Sequence, residues 1–595
     1  MDRDYKPKLK DYWRLATEAP ANVFLISERK TTLLSDPLYF ELLPLLDGCH
    51  RVEEIVEQLE DRIPAAYIYY GLTQLEHQGY LRNGDLRMLS PSLAIFCDCL
   101  NINAETAVDR LQSTQVSVKA IGSVPASEFV EILTSQQIQV TEADADLEVV
   151  LCDDYLQAEL ADLNQAALDR SRPWLLVKPV GTIIWLGPLF NPRTTGCWEC
   201  LAQRLKCNRP VAGYLQRRTD TVLPLTTPAT KIPAILQTAW GMAATEILKW
   251  IIQGRENKRL EGTLVTHDTL MLETQSHSLT KRPQCPSCGI SRGKRPSPLP
   301  LILGSRQKTF TADGGHRCST PAATLKKYQH HISPITGIVR ELQKLPSHDR
   351  SQHTYVAKHH FISMFDDPNT LSQNIGGRSG GKGRTDTQAR VSAFGEAIER
   401  YSGVFQGEEY TIKGSYQQLA ERAIHPNACM NFSEAQYLNR QAWNVSCQSP
   451  FQSVPAPFDE AREIEWTPVW SLTQQQFKYL PTAYCYFGYP KPSQPDCWAD
   501  TNGCAAGNTL EEAILQGFME LVERDSVALW WYNQIKRPQV NLDSFDDPYF
   551  TALQHSYRSI DRELWVLDIT SDFNIPTFVA VSRCCNRGAE DLILG

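Results

Sequence analysis

Apolar runs and helical periodicities alternate along the chain, and their spacing changes from one region to the next. Val23 to Ser27 and Thr31 to Ser35 are short apolar runs separated by Glu28-Arg29-Lys30, a hairpin signal. Apolar positions then recur at helical spacing over Pro37 to Leu46, Val52 to Leu59 and Ala65 to Gln78. Gly48 and Gly79 act as helix stops, and Tyr80-Leu81 resumes as a short strand. Two strands, three helices and a closing strand predict a winged helix-turn-helix. The third helix carries no Lys or Arg, so contact with DNA phosphates is not expected of it.

Beyond residue 90 the rhythm becomes strand, helix, strand. Leu93 to Cys97, Val116 to Ala120, Leu147 to Cys152, Trp174 to Lys178 and Thr182 to Leu186 read as buried strands of an α/β sheet. In a nucleotide-binding sheet the first strand leads into a Gly-rich turn. No glycine lies between Gly84 and Gly122, so nucleotide is not expected in the usual place. Ala234 to Ile252 is the longest apolar stretch. Glu246 and Lys249 interrupt it, which makes it an amphipathic helix rather than a membrane span of roughly 18 or more apolar residues. From Gly289 to about Lys308 the chain is basic and Pro-rich, a linker. The remainder stops at Ile593-Leu594-Gly595, just after a strand-like run, and is expected to be incomplete at that end. The predicted units are therefore 1–88, 89–290, a linker 291–309, and 310–595.

Composition narrows the function classes. A chain of 595 residues suits three or four domains at roughly 100–200 residues each. Its net charge of -9 disfavours DNA or an acidic membrane face as a bulk partner, while leaving room for a local basic pocket. Met1 to Lys10 is charged and lacks the apolar core of a secretory signal. Seventeen cysteines in a large chain without such a signal point to a cytoplasmic protein with reduced thiols and one metal site.

That metal site is predicted at Cys197-Trp-Glu-Cys200 and Cys285-Pro-Ser-Cys288. Each C-x-x-C pair can place two thiolates on one turn, and two such knuckles make a closed, tetrahedral four-thiolate site for structural Zn2+. Redox chemistry would need only one pair in a thioredoxin-like context, and unligated thiols are the plainest alternative.

Two segments of the last unit share one pattern: Ser392-x-x-x-Glu396-x-x-Glu399-Arg400-x-Ser402 and Gln516-x-x-x-Glu520-x-x-Glu523-Arg524-x-Ser526. At helical spacing the polar residue and both glutamates fall on one face. A solvated charged face is the simplest reading of either copy alone. The second, however, sits among Leu515, Phe518, Met519, Leu521, Val522, Val527, Leu529, Trp530 and Trp531, which should bury it on most sides. Buried carboxylates need partners or a cation. Mg2+ prefers carboxylates together with phosphate oxygens, so the expectation is a nucleotide–Mg2+ site lined by two helices. Gly376 to Gly383 has the Gly and Lys spacing of a P-loop, but Gly383 stands where Ser or Thr should follow Lys382. A flexible loop that places Lys382 beside phosphates is the preferred reading. Asn502 to Asn508 is a small-residue segment ahead of the second helix, suited to close approach of a ligand or to a tight turn with Thr509 as N-cap.

At Ser379-Gly-Gly-Lys-Gly, Ser392-x-x-x-Glu-x-x-Glu-Arg-Tyr-Ser-Gly, Asn502-Gly-x-Ala-Ala-Gly-Asn and Leu515 to Tyr532, the chain resembles the YcaO superfamily. It is most similar to azoline-forming cyclodehydratases of the cyanobactin type, in which an E1-like domain is fused to a YcaO domain. The resemblance implies a multidomain α+β protein with three parts: a winged-helix peptide-binding unit, a degenerate E1-like α/β domain with a four-cysteine zinc site, and a YcaO α/β domain. It implies that Lys382, Glu396, Glu399, Arg400, Gln516, Glu520 and Glu523 contact ATP and Mg2+. It further implies a precursor peptide as partner, its leader captured by strand addition at the winged helix and its core cyclised. No nucleic acid or membrane is implied, and a homodimer is compatible with the resemblance. The reaction implied is ATP-dependent dehydration of Cys, with Ser and Thr left open, to thiazoline or oxazoline. Thioamide or amidine formation and a non-catalytic leader-binding scaffold are the rival readings. Members of the family continue beyond this chain's last residue with more site residues and a proline-rich tail. No general base is legible.

Overall fold

The computed structural model describes residues 5–19, 22–84, 90–142, 144–219, 227–290, 297–312, 315–346, 352–360, 377–447, 452–490, 495–585 and 593–594. The chain divides into two compact units, Met1–Trp198 with Thr226–Leu279, and Glu199–Leu225 with Thr280–Gly595.

The first unit begins with β1 (Pro7–Leu9), followed by the antiparallel meander β2 (Arg14–Glu18), β3 (Asn22–Ile26) and β4 (Thr31–Ser35). The expected hairpin is present and β2 adds a third strand to it. Val23 and Leu25 alternate into the core as the pleat requires. Helices α1 (Pro37–Leu42), α2 (Val52–Leu59) and α3 (Ala65–His77) follow, and β5 (Leu81–Asn83) pairs with β1 rather than with the meander. Trp13, Leu25, Leu42, Ile55, Ile68 and Leu72 form the centre of this winged-helix core. Gly71 lets α3 close on α1, since a Cβ there would stand 2.5 Å from the Leu38 side chain.

Next come α4 (Pro91–Cys99) and α5 (Ala104–Ser113). Leu93 to Cys97 is thus helix, not the strand its unbroken apolar run suggested. Ser90 accepts from the Leu93 N–H as N-cap, Pro91 fits the first turn, and Leu93, Ala94 and Cys97 share the buried face. The seven-stranded sheet that follows has the order β12-β11-β10-β9-β8-β6-β7. Its strands are β6 (Gln115–Ile121), β7 (Gln139–Val140), β8 (Leu147–Cys152), β9 (Trp174–Lys178), β10 (Ile183–Phe190), β11 (Thr263–Asp268) and β12 (Glu273–Ser278). The four strands β6 to β9 are parallel and the other three antiparallel. Helices α6 (Ser127–Ser135) and α7 (Glu159–Arg170) connect the parallel strands, and α10 (Pro233–Gln253) buries Trp240, Ala243, Ile247 and Ile251 in the same core. Glu246 pairs with Lys249 on α10. No helix among the described residues is long and apolar enough to cross a membrane.

The first strand of this sheet is β6, and the turn after it starts at Gly122. It offers one glycine, and the Asp153 carboxylate accepts from both the N–H and the hydroxyl of Ser123 there. A Cβ on Gly122 would meet that carboxylate at 2.4 Å. The Asp153 carboxylate thus occupies both of those donors.

The second unit takes most of α8 (Trp198–Asn208), α9 (Pro210–Thr219) and α11 (Pro321–Tyr328). Its described strands form three antiparallel sheets. The first is β13 (Val339–Lys344), β14 (His353–His359) and β15 (Gly377–Gly383); the second is β16 (Ile412–Gly414), β17 (Ile464–Ser471) and β18 (Gln476–Pro481). The third is β19 (Arg562–Asp568), β20 (Phe578–Cys584) and β21 (Ile593–Leu594). Two long helices, α12 (Asp386–Ser402) and α13 (Leu510–Tyr532), carry the repeated carboxylate pattern.

Candidate active site

Helix α12 starts at Thr385, whose hydroxyl accepts from the Gln388 N–H, and turns Ala389, Ala393 and Ala397 inward at i, i+4 and i+8. That small-residue stripe lies on β15. A Cβ on Gly381 would stand 2.0 Å from the Ala393 nitrogen and 2.3 Å from the Ala389 oxygen. The Gly-rich segment is therefore a β-strand that admits a helix backbone at close range, not a phosphate-binding loop; Gly376 itself lies outside the described residues. Strand alternation sets Lys382 on the face away from Ser379 and Gly381, exposed. Among the described contacts none ties Lys382 to the glutamates.

The outward face of α12 holds Glu396, Glu399 and Arg400. Glu396 accepts from the Gly380 N–H at 2.9 Å, and Arg400 reaches Glu396 and Glu399, each at 3.4 Å. Thr509 caps α13, and Gly517 brings the Asn502–Asn508 segment onto it, since a Cβ would stand 2.4 Å from the Gly503 carbonyl. Glu520, half-buried, is 3.8 Å from Arg524. The two helices bring their glutamates into electrostatic range of one another. Burial pushes the Glu399 carboxyl up to about 7 against the pull of Arg400, with Glu520 and Glu396 adding repulsion. Burial likewise raises Glu520, opposed by Arg524 and Arg400 and reinforced by Glu523 and Glu396. Carboxylates gathered at such cost, with Arg400 and Arg524 as countercharges, are suited to a hard divalent cation.

The remaining faces of α13 differ from expectation. Only Gly517, Val522 and Ser526 are buried on it. Leu515, Phe518, Met519, Leu521, Leu529 and Trp531 are exposed, and they do not share one face: Leu515, Met519 and Leu529 fall on the side that also carries buried Val522 and Ser526.

Cys197, Cys200, Cys285 and Cys288 converge, their Sγ atoms all within 4.8 Å of one another and Cys200 and Cys288 at 3.6 Å. Three are buried and Cys288 is partly so. Tetrahedral ligands at about 2.3 Å from a metal are separated by such distances, so the donor set fits Zn2+ and leaves no open position.

Residues 380–595 match the family model described as YcaO cyclodehydratase, ATP- and Mg2+-binding, and residues 8–83 match a winged helix-turn-helix domain. Over 99% of its length the chain aligns with a solved heterocyclase in complex with substrate and cofactor, at TM-score 0.91 and 43% identity, covering 80% of that structure's chain. The heterocyclase TruD aligns over the same 99% at TM-score 0.81 and 40% identity, also with 80% of its chain covered. The chain belongs to the YcaO-superfamily azoline-forming cyclodehydratases. These are ATP-dependent heterocyclases. A further relative of this cyclodehydratase is an uncharacterized protein of Methanothermobacter thermautotrophicus, 29% identical over 206 residues, which is 34% of this chain and 47% of that one. The chain thus spans about half the length of that curated relative.

Two residues at the cyclodehydratase's carboxylate cluster had no motif to announce them. Arg317 donates to Gln516 Oε1 at 3.1 Å, one turn from Glu520. It comes from an irregular segment before α11, where a single arginine carries no local signal. Cys504 sits close enough to Glu399, Arg400 and Glu520 to sense their charges, and burial raises its thiol. It occupies the variable position of the Asn502-Gly-x-Ala-Ala-Gly-Asn segment.

Proposed function

We propose that this cyclodehydratase uses ATP to turn cysteines of a ribosomally made precursor peptide into thiazolines, with Ser and Thr as further candidates. The substrate thiol adds to the preceding backbone carbonyl and gives a five-membered hemiorthoamide. Its oxygen is phosphorylated by ATP and leaves as phosphate, while the ring nitrogen loses its proton to form the C=N bond. Mg2+, when bound, would neutralise phosphate charge and bridge the nucleotide to the protein. Glu396, Glu399, Glu520 and Glu523 would hold it. Arg400, Gln516 and Arg317 would orient the nucleotide, and Lys382 would reach it from the edge of β15 once substrate is bound. Four cysteines would hold a structural zinc. The observation that carries this reading is the set of mutually repelling carboxylates on α12 and α13, in a chain 43% identical to a heterocyclase solved with substrate and cofactor.

Residues 1–88 would capture the leader. Tyr67 and Tyr70 stack on the exposed face of α3, and the Tyr67 hydroxyl donates to Asp36 at 2.6 Å, just where edge strand β4 ends. An open strand edge beside an aromatic helix face suits an added peptide strand. Holding the leader there would raise the effective concentration of the core peptide at the catalytic domain, residues 310–595, across the zinc-holding region 89–290 and its linker.

The experiment is to incubate the protein with a leader-bearing, cysteine-containing peptide, ATP and Mg2+ and weigh the product. Loss of one water per cysteine, abolished by Glu520→Gln, is expected. A gain in mass would point to sulfur-for-oxygen exchange instead. Unchanged mass with tight leader binding would leave a scaffold.

A further inference from the structure

Side chains rooted near the cysteine knuckles reach the last turn of α12 and the segment that follows it. Helix α8 carries Cys200. One turn later, the nearly buried Arg204 sets its guanidinium 4.5 Å from the centre of the Tyr401 ring and donates to the Tyr401 hydroxyl. Arg282, three residues before Cys285, has its backbone N–H 3.4 Å from Cys200 Sγ and its side chain donating to Gln406 Oε1 at 3.4 Å. One further turn along α8, Asn208 donates to the carbonyls of Ile335 at 2.9 Å and Gly337 at 3.3 Å, just ahead of β13. The end of α12, the segment after it and the approach to β13 are thus each held by a hydrogen bond from this region.

Tyr401 follows Glu399 by two residues and Arg400 by one. All three lie in the final turn before the Gly403 cap, where an α-helix ordinarily frays. A Glu399 carboxylate repelled by Glu396 and Glu520 would gain from swinging outward if that turn were loose. We propose that Arg204 is a positioning residue. By holding Tyr401 by both ring and hydroxyl, it fixes the rotation of the last turn of α12. It thereby fixes the direction of Glu399 and Arg400 toward a divalent cation and its nucleotide. This rests on the Mg2+–ATP reading above. It gives the cysteine-bearing helix a second role, that of a brace for the carboxylate helix.

The test compares wild type with Arg204→Met, Arg204→Lys and Tyr401→Phe in the whole chain. Calorimetry reads the Mg2+ concentration that half-saturates binding of a non-hydrolysable ATP analogue; fluorescence anisotropy reads leader-peptide affinity. Arg204→Met should raise the Mg2+ requirement about tenfold, the scale of one charge-assisted hydrogen bond with its stacking. Lysine should recover part of this, having the charge without the planar fork. Tyr401→Phe should raise the requirement about threefold, the scale of one hydroxyl hydrogen bond. Leader affinity should not move. An unchanged Mg2+ requirement in Arg204→Met, even with a lowered melting temperature, would overturn the inference. So would an unchanged requirement in Tyr401→Phe if the methionine variant fails to fold. Absence of Mg2+-dependent analogue binding in the wild type would instead overturn the function proposed above, and this inference with it.

Discussion

Glu399 should make metal binding strongly pH-dependent. Its carboxyl is pushed up to about 7 by burial, Arg400 notwithstanding, with Glu520 and Glu396 adding repulsion. The ordinary value is 4.5, so between those two values the folded chain holds a proton that the unfolded chain has released. Through this group stability therefore falls as pH rises across that window, and the cost is complete above about 7. A cation that needs ionised Glu399 competes with the same proton. With a pKa near 7, roughly a tenth of the groups are ionised at about pH 6 and nine-tenths at about pH 8, so Mg2+ affinity should rise about tenfold between them. The assay is calorimetric titration of Mg2+ into the complex with a non-hydrolysable ATP analogue, across that range, for wild type and Glu399→Gln. The γ-phosphate of the nucleotide titrates in the same range, so the quantity to read is the ratio of wild-type to variant affinity. That ratio should widen about tenfold from the acid to the alkaline end. A ratio that stays constant would refute the reasoning, because proton competition at Glu399 would not survive it.

Other perturbations have equally definite outcomes. Gly381→Ala puts a Cβ 2.0 Å from the Ala393 nitrogen, so α12 must move off β15. Urea unfolding should show a loss of about 1–3 kcal/mol, the usual cost of overpacking, together with weaker Mg2+–ATP binding. Cys285→Ser combined with Cys288→Ser should abolish zinc content by elemental analysis and lower the melting temperature, since closed four-thiolate sites contribute directly to folding. Tyr67→Ala with Tyr70→Ala should weaken leader binding by fluorescence anisotropy about tenfold, on the scale of about 1–2 kcal/mol for an aromatic contact, with ATP binding unchanged.

Much of the candidate site could be read in the chain because its parts are local. The spacing of Glu396 with Glu399, and of Glu520 with Glu523, already put each pair on one helix face. The C-x-x-C pairs likewise declared themselves within four residues each. The winged-helix segments followed from periodicities only a few residues long, and Val52–Leu59 came out with the ends expected of it. Where the reading failed, one case turned on a neighbouring element and the other on a local helix cap. Gly377–Gly383 looked like a loop because glycine is the usual loop residue, and the reason for those glycines is a helix backbone pressed on the strand. Leu93 to Cys97 looked like a strand because an unbroken apolar run fits either state, although Ser90-Pro91 held the helix cap that decided it.

The sequence by itself determined which residue types stand together on each short element, because helix and strand periods are set by backbone geometry over a handful of residues. Only the tertiary structure decided which elements face one another. It brought Cys200 to Cys288, set Glu399 within range of Glu520, laid Arg204 on Tyr401 and left Leu515, Phe518 and Met519 of α13 exposed. Such pairings join positions tens to hundreds of residues apart. They are selected by the packing of the whole core, and no local period encodes them.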